Sequence, residues 1–271
     1  TRVFTDQRTS PVYVSYQVSG ILGKIYRLGD QQESLLREAI LDSYKKAGIS
    51  QQDPQTWTKT PPSFAHVKAF LEVKAKGKGD EGKRAKSVLN RLGPLFDLQI
   101  FSARTEIVSE RVYRDGVALF LRHLPTEETK LATAEFFLRW LWHLVLSEGE
   151  AKGALRFAIV LDEAYKLAYE GSPVSDILRQ GRKYGLGCIL CTQQPDDFES
   201  KELVFQNTSV QIVLRCQSER HARVMAKQIG AQDWFQEIRE LSKFKALVYS
   251  AARNAFSRVA ILPYFCLKDQ G

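Results

Sequence analysis

Phe157-Ala-Ile-Val-Leu-Asp162-Glu163-Ala-Tyr-Lys-Leu167 is the stretch that decides the fold. Five apolar residues in a row suit a strand buried on both faces, and two adjacent carboxylates stand where that strand emerges. Strands of this kind belong to mainly parallel sheets, which gather ligands at the carboxyl ends of their strands. In nucleotide-hydrolysing enzymes the first acid of such a pair holds hydrated magnesium and the second polarises the attacking water. Both tasks need a rigid mount at a strand end. Many strands end in a solvated acidic turn, so the pair by itself leaves that alternative open.

The next block, Arg179-Gln-Gly-Arg182-Lys183-Tyr-Gly-Leu-Gly-Cys-Ile-Leu-Cys-Thr192-Gln193-Gln194-Pro195, sets a basic helix end before a second buried strand, Gly187 to Thr192. A glutamine at that strand's tip can touch both a γ-phosphate and the attacking water; its bland alternative is a turn residue ahead of Pro195. A further strand, Val210 to Leu214, leads into Arg215, whose guanidinium could neutralise charge on a transferring phosphoryl group. The expectation is that three parallel strands lie side by side and aim an acid pair, an amide and a guanidinium at one pocket. Around them the pattern predicts strands at Val117 to Leu121, Ala246 to Tyr249 and Arg258 to Leu262. Helices are expected at Glu127 to Glu148, Val174 to Lys183, Ser200 to Gln206 and Glu219 to Ile229. Residues 111–271 thus read as an α/β unit with a mainly parallel sheet flanked by helices.

Residues 1–110 read as a helical accessory region. Asp30-Gln-Gln-Glu33 has the form of a capping box, Leu35, Leu36, Ala39, Ile40 and Tyr44 share one helical stripe, and Gly48 supplies a stop. Two more helices are expected from Phe64 to Lys74 and from Ala85 to Phe96. The connector between them, Gly77-Lys-Gly-Asp-Glu-Gly82-Lys83-Arg84, nearly spells a phosphate-binding loop. It is rejected as one, because a working loop follows a buried strand and ends in a hydroxyl that ligates magnesium, whereas here a helix precedes and Arg84 takes the hydroxyl's place. A flexible basic link is the better reading.

The 271 residues hold 39 Lys plus Arg against 31 Asp plus Glu, a net charge of +8 that favours a polyanionic partner without choosing among nucleic acid, acidic protein and lipid headgroups. With 44% hydrophobic and 26% charged residues, disorder, collagen and coiled coil are excluded. No apolar run approaches the roughly 20 residues of a membrane span. Four cysteines are too few for a disulfide scaffold, and nothing marks secretion, so a reducing cytoplasm is expected. Cys188 and Cys191 are spaced as a CxxC, but residues three apart on a strand face opposite ways, which argues against a shared metal or a redox pair.

LDEAYKL, RQGRKYGLGCILCTQQP and QNTSVQIVLRCQSERHARVMAKQIG, in this order, resemble the HerA/FtsK class of RecA-like DNA-translocating ATPases, the HerA branch in particular. The resemblance covers Gly116 to Leu262, with GRKYGLG its most specific part; before about residue 110 only the general layout matches. It implies a RecA-like core that uses ATP and Mg2+, with Asp162 as the Walker B magnesium residue, Glu163 as catalytic base and Gln193 as sensor. It offers Arg182 and Arg215 for arginine contacts to nucleotide, in cis or in trans, with Lys183 serving the same site or DNA. The basic residues in Lys68 to Arg91 and Arg179 to Lys183, Arg179 and Lys183 among them, could meet DNA phosphates, with a solvated helix face as the alternative for the first cluster. Tyr165 stands where relatives often carry a histidine. The larger departure is that no credible Walker A motif is present. In this family it lies upstream, so Thr1 is expected to fall after it, in a fragment of a longer chain, a split protein or a natural pseudo-ATPase. The chain alone is then expected to hydrolyse ATP negligibly.

The leading expectation is the C-terminal part of a HerA-like motor on double-stranded DNA, a hexameric ring in the family, working beside a nuclease or other DNA-processing partner. The alternative is a catalytically incomplete ring or docking module that recruits such a partner, with Phe136, Phe137, Trp140 and Leu144 as a stripe for it unless they belong to the core. A stand-alone basic nucleic-acid-binding protein is a third reading; it leaves Asp162, Glu163 and Gln193 without a shared purpose.

Overall fold

The computed structural model describes residues 10–98, 100–101, 112, 115–193 and 195–262. The chain divides into two compact units, Thr1–Glu148 and Gly149–Gly271. The division expected near residue 110 falls among residues outside the described set.

The first unit is helical: α1 (Pro11–Ile25), α2 (Asp30–Lys46), α3 (Phe64–Ala75), α4 (Asp80–Asp97) and α5 (Glu127–Ser147). Its core is the apolar stripe read from the sequence, Leu35, Leu36, Ala39, Ile40 and Tyr44, packed with Val14, Val18 and Leu22 of α1 and with Leu71, Val88 and Leu92. The stop works as expected: Gly48 has φ +71°, and the Ile49 N–H donates to Tyr44 O at 3.0 Å. The start is shifted by one residue. Gly29 precedes the helix and its N–H donates to Gln32 Oε1 at 3.0 Å. Glu33 instead turns toward α1, where a Cβ on Gly23 would stand 2.6 Å from its Oε2, so the helices approach this closely because residue 23 is glycine.

The stripe on α5 divides. Ala132 and Phe136 join the core, where Phe136 meets Phe64 and Phe101 with ring centroids 5.9 and 5.2 Å apart, whereas Phe137, Trp140 and Leu144 are half-buried. The Val117 to Leu121 strand does not form: residues 116–120 are irregular, Val117, Leu119 and Phe120 are exposed, and Leu121–His123 is a 3-10 turn. An apolar run is only a strand where a neighbouring strand accepts its backbone bonds.

The link between α3 and α4 also departs from expectation. Asp80 to Lys83 are already helical, with Asp80 and Glu81 placed to offset the helix dipole, so the turn proper is only residues 76–79. Gly82 is buried, and a Cβ there would lie 2.1 Å from the Gly77 carbonyl oxygen. The connector is a tight helical hairpin closed on a backbone contact. Several of its basic residues have local work: Lys68 pairs with Asp97 at 2.8 Å, Lys74 with Glu81 at 2.6 Å, and Arg91 Nη1 donates to the Tyr26 and Arg27 carbonyls at 3.1 and 3.0 Å.

The second unit is α/β: β1 (Phe157–Leu161), α6 (Pro173–Gln180), β2 (Leu186–Leu190), α7 (Lys201–Gln206), β3 (Val210–Val213), α8 (Glu219–Gln228), α9 (Phe235–Glu240), β4 (Lys245–Ser250) and β5 (Ala255–Ala260). β1 and β2 are parallel, Phe157 opposite Leu186 and Leu161 opposite Leu190. β3 is not their third parallel neighbour. It pairs antiparallel with β4, which forms an antiparallel hairpin with β5. α8 and α9 cover this second sheet through Ala222, Ala226, Ile229 and Ile238 against Val213 and Leu247. Strand polarity overrode the apolar pattern here, since a four-residue apolar run reads the same in either direction.

Each sheet keeps an apolar face open. Val160 and Ile189, opposite one another in register, are 63% and 53% exposed, as are Val210, Ile212 and Leu214 along β3 at 55%, 63% and 55%. Gly185 enters β2 with φ +76°, and a Cβ there would come within 2.6 Å of Ala154 O, which explains the glycine in the Gly181-Arg-Lys-Tyr-Gly-Leu-Gly187 segment. Among the described residues no helix is long and apolar enough to cross a membrane.

Two outcomes follow from this packing. Gly82→Ala should lower stability by about 2 kcal/mol through overpacking, read from the urea midpoint, where a loose link would tolerate it with no measurable change. Burial pushes the Cys188 thiol up to about 12, whereas Cys191 is exposed just past β2. Because the thiolate is the nucleophile, iodoacetamide at pH 8 should modify Cys191 in the folded protein and spare Cys188 until denaturant is added. Peptide mass mapping of both sites gives the answer, and equal labelling would contradict the burial of Cys188.

Candidate functional site

β1 and β2 end side by side, and their pairing runs on past the strands. The Cys191 N–H donates to Leu161 O at 2.8 Å, and the Ala164 N–H donates to Cys191 O at 3.0 Å. These two bonds strap the Asp162–Glu163 corner to the segment leading into Thr192 and Gln193. Asp162 is exposed and its Oδ1 accepts from the Glu163 N–H at 3.0 Å. Glu163 has φ 52° and ψ 42°, a left-handed conformation that costs a non-glycine residue about 1–2 kcal/mol. It is held there by a 3-10 turn, Ala164–Lys166, whose first residue is fully buried and whose Lys166 N–H donates to Glu163 O at 3.1 Å. Backbone strain of this kind persists where surrounding contacts over-determine it.

Tyr165 follows in the 3-10 turn, where burial first, and then the Glu163 carboxylate beside it, push its hydroxyl above the ordinary tyrosine value.

Three of the remaining expected residues stand away from this tip. Arg179, Arg182 and Lys183 lie ahead of β2, at the opposite end of the parallel pair, about 15 Å away along a five-residue strand. Two of them are engaged there: Arg179 binds Glu170 through Nη1 and Nη2 at 2.7 and 2.8 Å, and Lys183 pairs with Glu150 at 3.0 Å. Arg182 is exposed. Arg215 is exposed just past β3, in the other sheet. On the parallel pair itself, the acid pair and the glutamine stand on neighbouring loops.

Chemically, the corner offers one exposed carboxylate at Asp162. That suits magnesium, which takes one or two protein carboxylates and fills its other positions with phosphate oxygens and water. Among the described residues no group of three or more His, Cys, Asp or Glu could hold a metal by itself. The stretch nearest to a phosphate loop, Gly77 to Arg84, is the α3–α4 turn and the start of α4, and follows a helix. The Asp162 carboxylate therefore fits magnesium, and among the described residues the Gly77 to Arg84 stretch is no phosphate cradle.

No family model matches this chain, and no curated protein matches it. Solved structures do. VirB4 of Thermoanaerobacter pseudethanolicus superimposes with a TM-score of 0.69 at 17% identity, over 97% of this chain and 72% of that one. Plasmid coupling protein TrwB, in complex with the non-hydrolysable GTP analogue GDPNP, gives 0.58 at 18% identity over 92% and 68% of the two chains. The trigonal form of the bacterial conjugative coupling protein TrwBdeltaN70 with sulphate gives 0.58 at 15% identity over the same shares. This likeness shows the fold, which is RecA-like α/β.

Proposed function

We propose that this chain is the catalytic-base and sensor portion of an ATP-driven motor of the HerA/FtsK kind, one that moves double-stranded DNA as a ring, a hexamer in that class, in DNA processing or defence. The observation that carries the reading is the backbone strap at the ends of β1 and β2, which sets Asp162 and Glu163 beside the Thr192–Gln193 segment. The RecA-like fold shared with VirB4 and TrwB supports it, and the bound GTP analogue of TrwB accords with a nucleotide site on this fold.

In this proposal Asp162 supplies the Walker B carboxylate to the magnesium of ATP, whose phosphoryl transfer is the chemistry that drives movement. The Glu163 carboxylate accepts a proton from the attacking water, with its position set by the left-handed backbone. The Gln193 amide orients that water and registers whether the γ-phosphate is present. The proposal requires a phosphate cradle in addition to these residues, supplied as a further strand and loop. The open apolar face of Val160 and Ile189 is suited to packing against such an addition, since parallel sheets are stable when both faces are covered. Arg182, at the far end of β2, serves a neighbouring subunit's nucleotide rather than its own. The net charge of +8 suits a DNA track, and binding through Arg179, Lys183 and neighbouring cations weakens steeply with salt. A nuclease partner and a cytoplasmic setting complete the proposal.

The test joins the phosphate-binding segment to the chain and measures DNA-stimulated ATP hydrolysis. Glu163→Gln should lower turnover by at least about 100-fold with nucleotide affinity retained, the range of a lost general base; equal turnover would remove Glu163 from the mechanism. The 271-residue chain without that segment should show negligible turnover. Mixing Glu163→Gln subunits with Arg182→Ala subunits, each inactive alone, should restore hydrolysis, because only a mixed ring places an intact Glu163 beside a neighbour's intact Arg182. A mixture as inactive as its parts would return Arg182 to a structural role.

A further inference from the structure

Three residues past Gln193, in the 3-10 turn Pro195–Asp197, the Asp196 side chain is only 2% exposed. Its Oδ2 meets Arg220 Nε at 2.5 Å and its Oδ1 meets Lys201 Nζ at 3.5 Å, and neither oxygen has a partner in hydrogen-bond geometry. The carboxylate is therefore held inside the protein by charge. Removing one partner of such a pair leaves an uncompensated buried ion, which is costly. Arg220, by contrast, is 77% exposed.

Both ends lie within five residues of candidate site residues. Buried Pro195, whose ring fixes φ, stands between Asp196 and the Gln193 tip. Arg220 lies in the first turn of α8, which Ser218 caps, five residues after Arg215; within that span the Cys216 N–H donates to Ile238 O at 3.3 Å. β1–β2 and β3–β4–β5 are separate sheets, so no strand ladder carries a displacement from one to the other. The Asp196–Arg220 pair bridges that gap.

We infer that Asp196 is a positioning residue that couples the Gln193 tip to the Arg215 segment through its ion pair with Arg220. The functional sense of the coupling rests on the ATPase reading above: a glutamine that follows the γ-phosphate moves the buried carboxylate, and the first turn of α8 and the Arg215 segment follow.

The experiment is hydrogen exchange on Asp196→Asn, Arg220→Gln, the double variant and the charge-preserving Arg220→Lys. In the 271-residue chain, amides of Gln193 to Phe198 and of Arg215 to His221 should exchange together at least about 10-fold faster in each single variant, with β4 amides unchanged as the control for global unfolding. The double variant should be no faster than either single one, and Arg220→Lys should restore wild-type rates. Loosening of only one segment, additive effects or no rescue would overturn the inference. In the protein carrying its phosphate-binding segment, a non-hydrolysable ATP analogue should protect residues 215–221 in wild type and not in Asp196→Asn, although the analogue binds both within about 3-fold. Protection that persists in Asp196→Asn would overturn the coupling. Absence of analogue binding by wild type would instead defeat the ATPase reading, and the exchange of the 271-residue chain would still decide the ion pair.

Discussion

Two backbone hydrogen bonds beyond the ends of β1 and β2 carry the candidate site: Cys191 N–H to Leu161 O and Ala164 N–H to Cys191 O. They extend a parallel ladder by one step on each strand, and in doing so they turn two loops into one surface. Side-chain contacts could not do this alone, because Asp162 and Gln193 are exposed and would otherwise sample many positions. The left-handed backbone of Glu163 is the cost of that arrangement. The buried methyl of Ala164 and the 3-10 turn behind it make the strained corner the lowest state available.

The fold around the strap explains which parts of the sequence pattern carry chemistry and which carry shape. Gly181-Arg-Lys-Tyr-Gly-Leu-Gly187 is the most specific segment of the resemblance, and its glycine at 185 is there because a side chain would strike Ala154. Its cations stand at the far end of the parallel pair, with Arg179 and Lys183 already bound to Glu170 and Glu150. The cations of the segment thus stand a strand's length from the acid pair.

The two sheets of the second unit meet without a shared ladder, so communication between them falls to helices and side chains. A buried carboxylate held by charge is suited to that task. It is stable when both cations are in place and sensitive when one moves, whereas an apolar contact would slide with little change in energy. The same logic separates the first unit, where Arg91 caps α1 and Gly82 seals the α3–α4 turn, from a flexible basic appendage. Its cations are largely spent on shape.

The sequence by itself determined the two neighbouring parallel strands, though not the open face they keep, together with the helical stripe of Leu35 to Tyr44 and its glycine stop, the acid pair at the end of β1 and the glutamine beyond β2. All of these follow from local patterns of burial and from the chemistry of residues at strand ends. Tertiary structure alone decided the rest: that β3 turns antiparallel to β4, that Val117 to Leu121 forms no strand, that Gly82 closes a hairpin, and that Glu163 takes a left-handed backbone. It also decided that Asp196 is buried against Arg220. The reason is the same in each case. An apolar run records that a segment is buried, but its direction, its neighbours and the partner of a charged group are set by segments distant in the chain, and no local pattern encodes them.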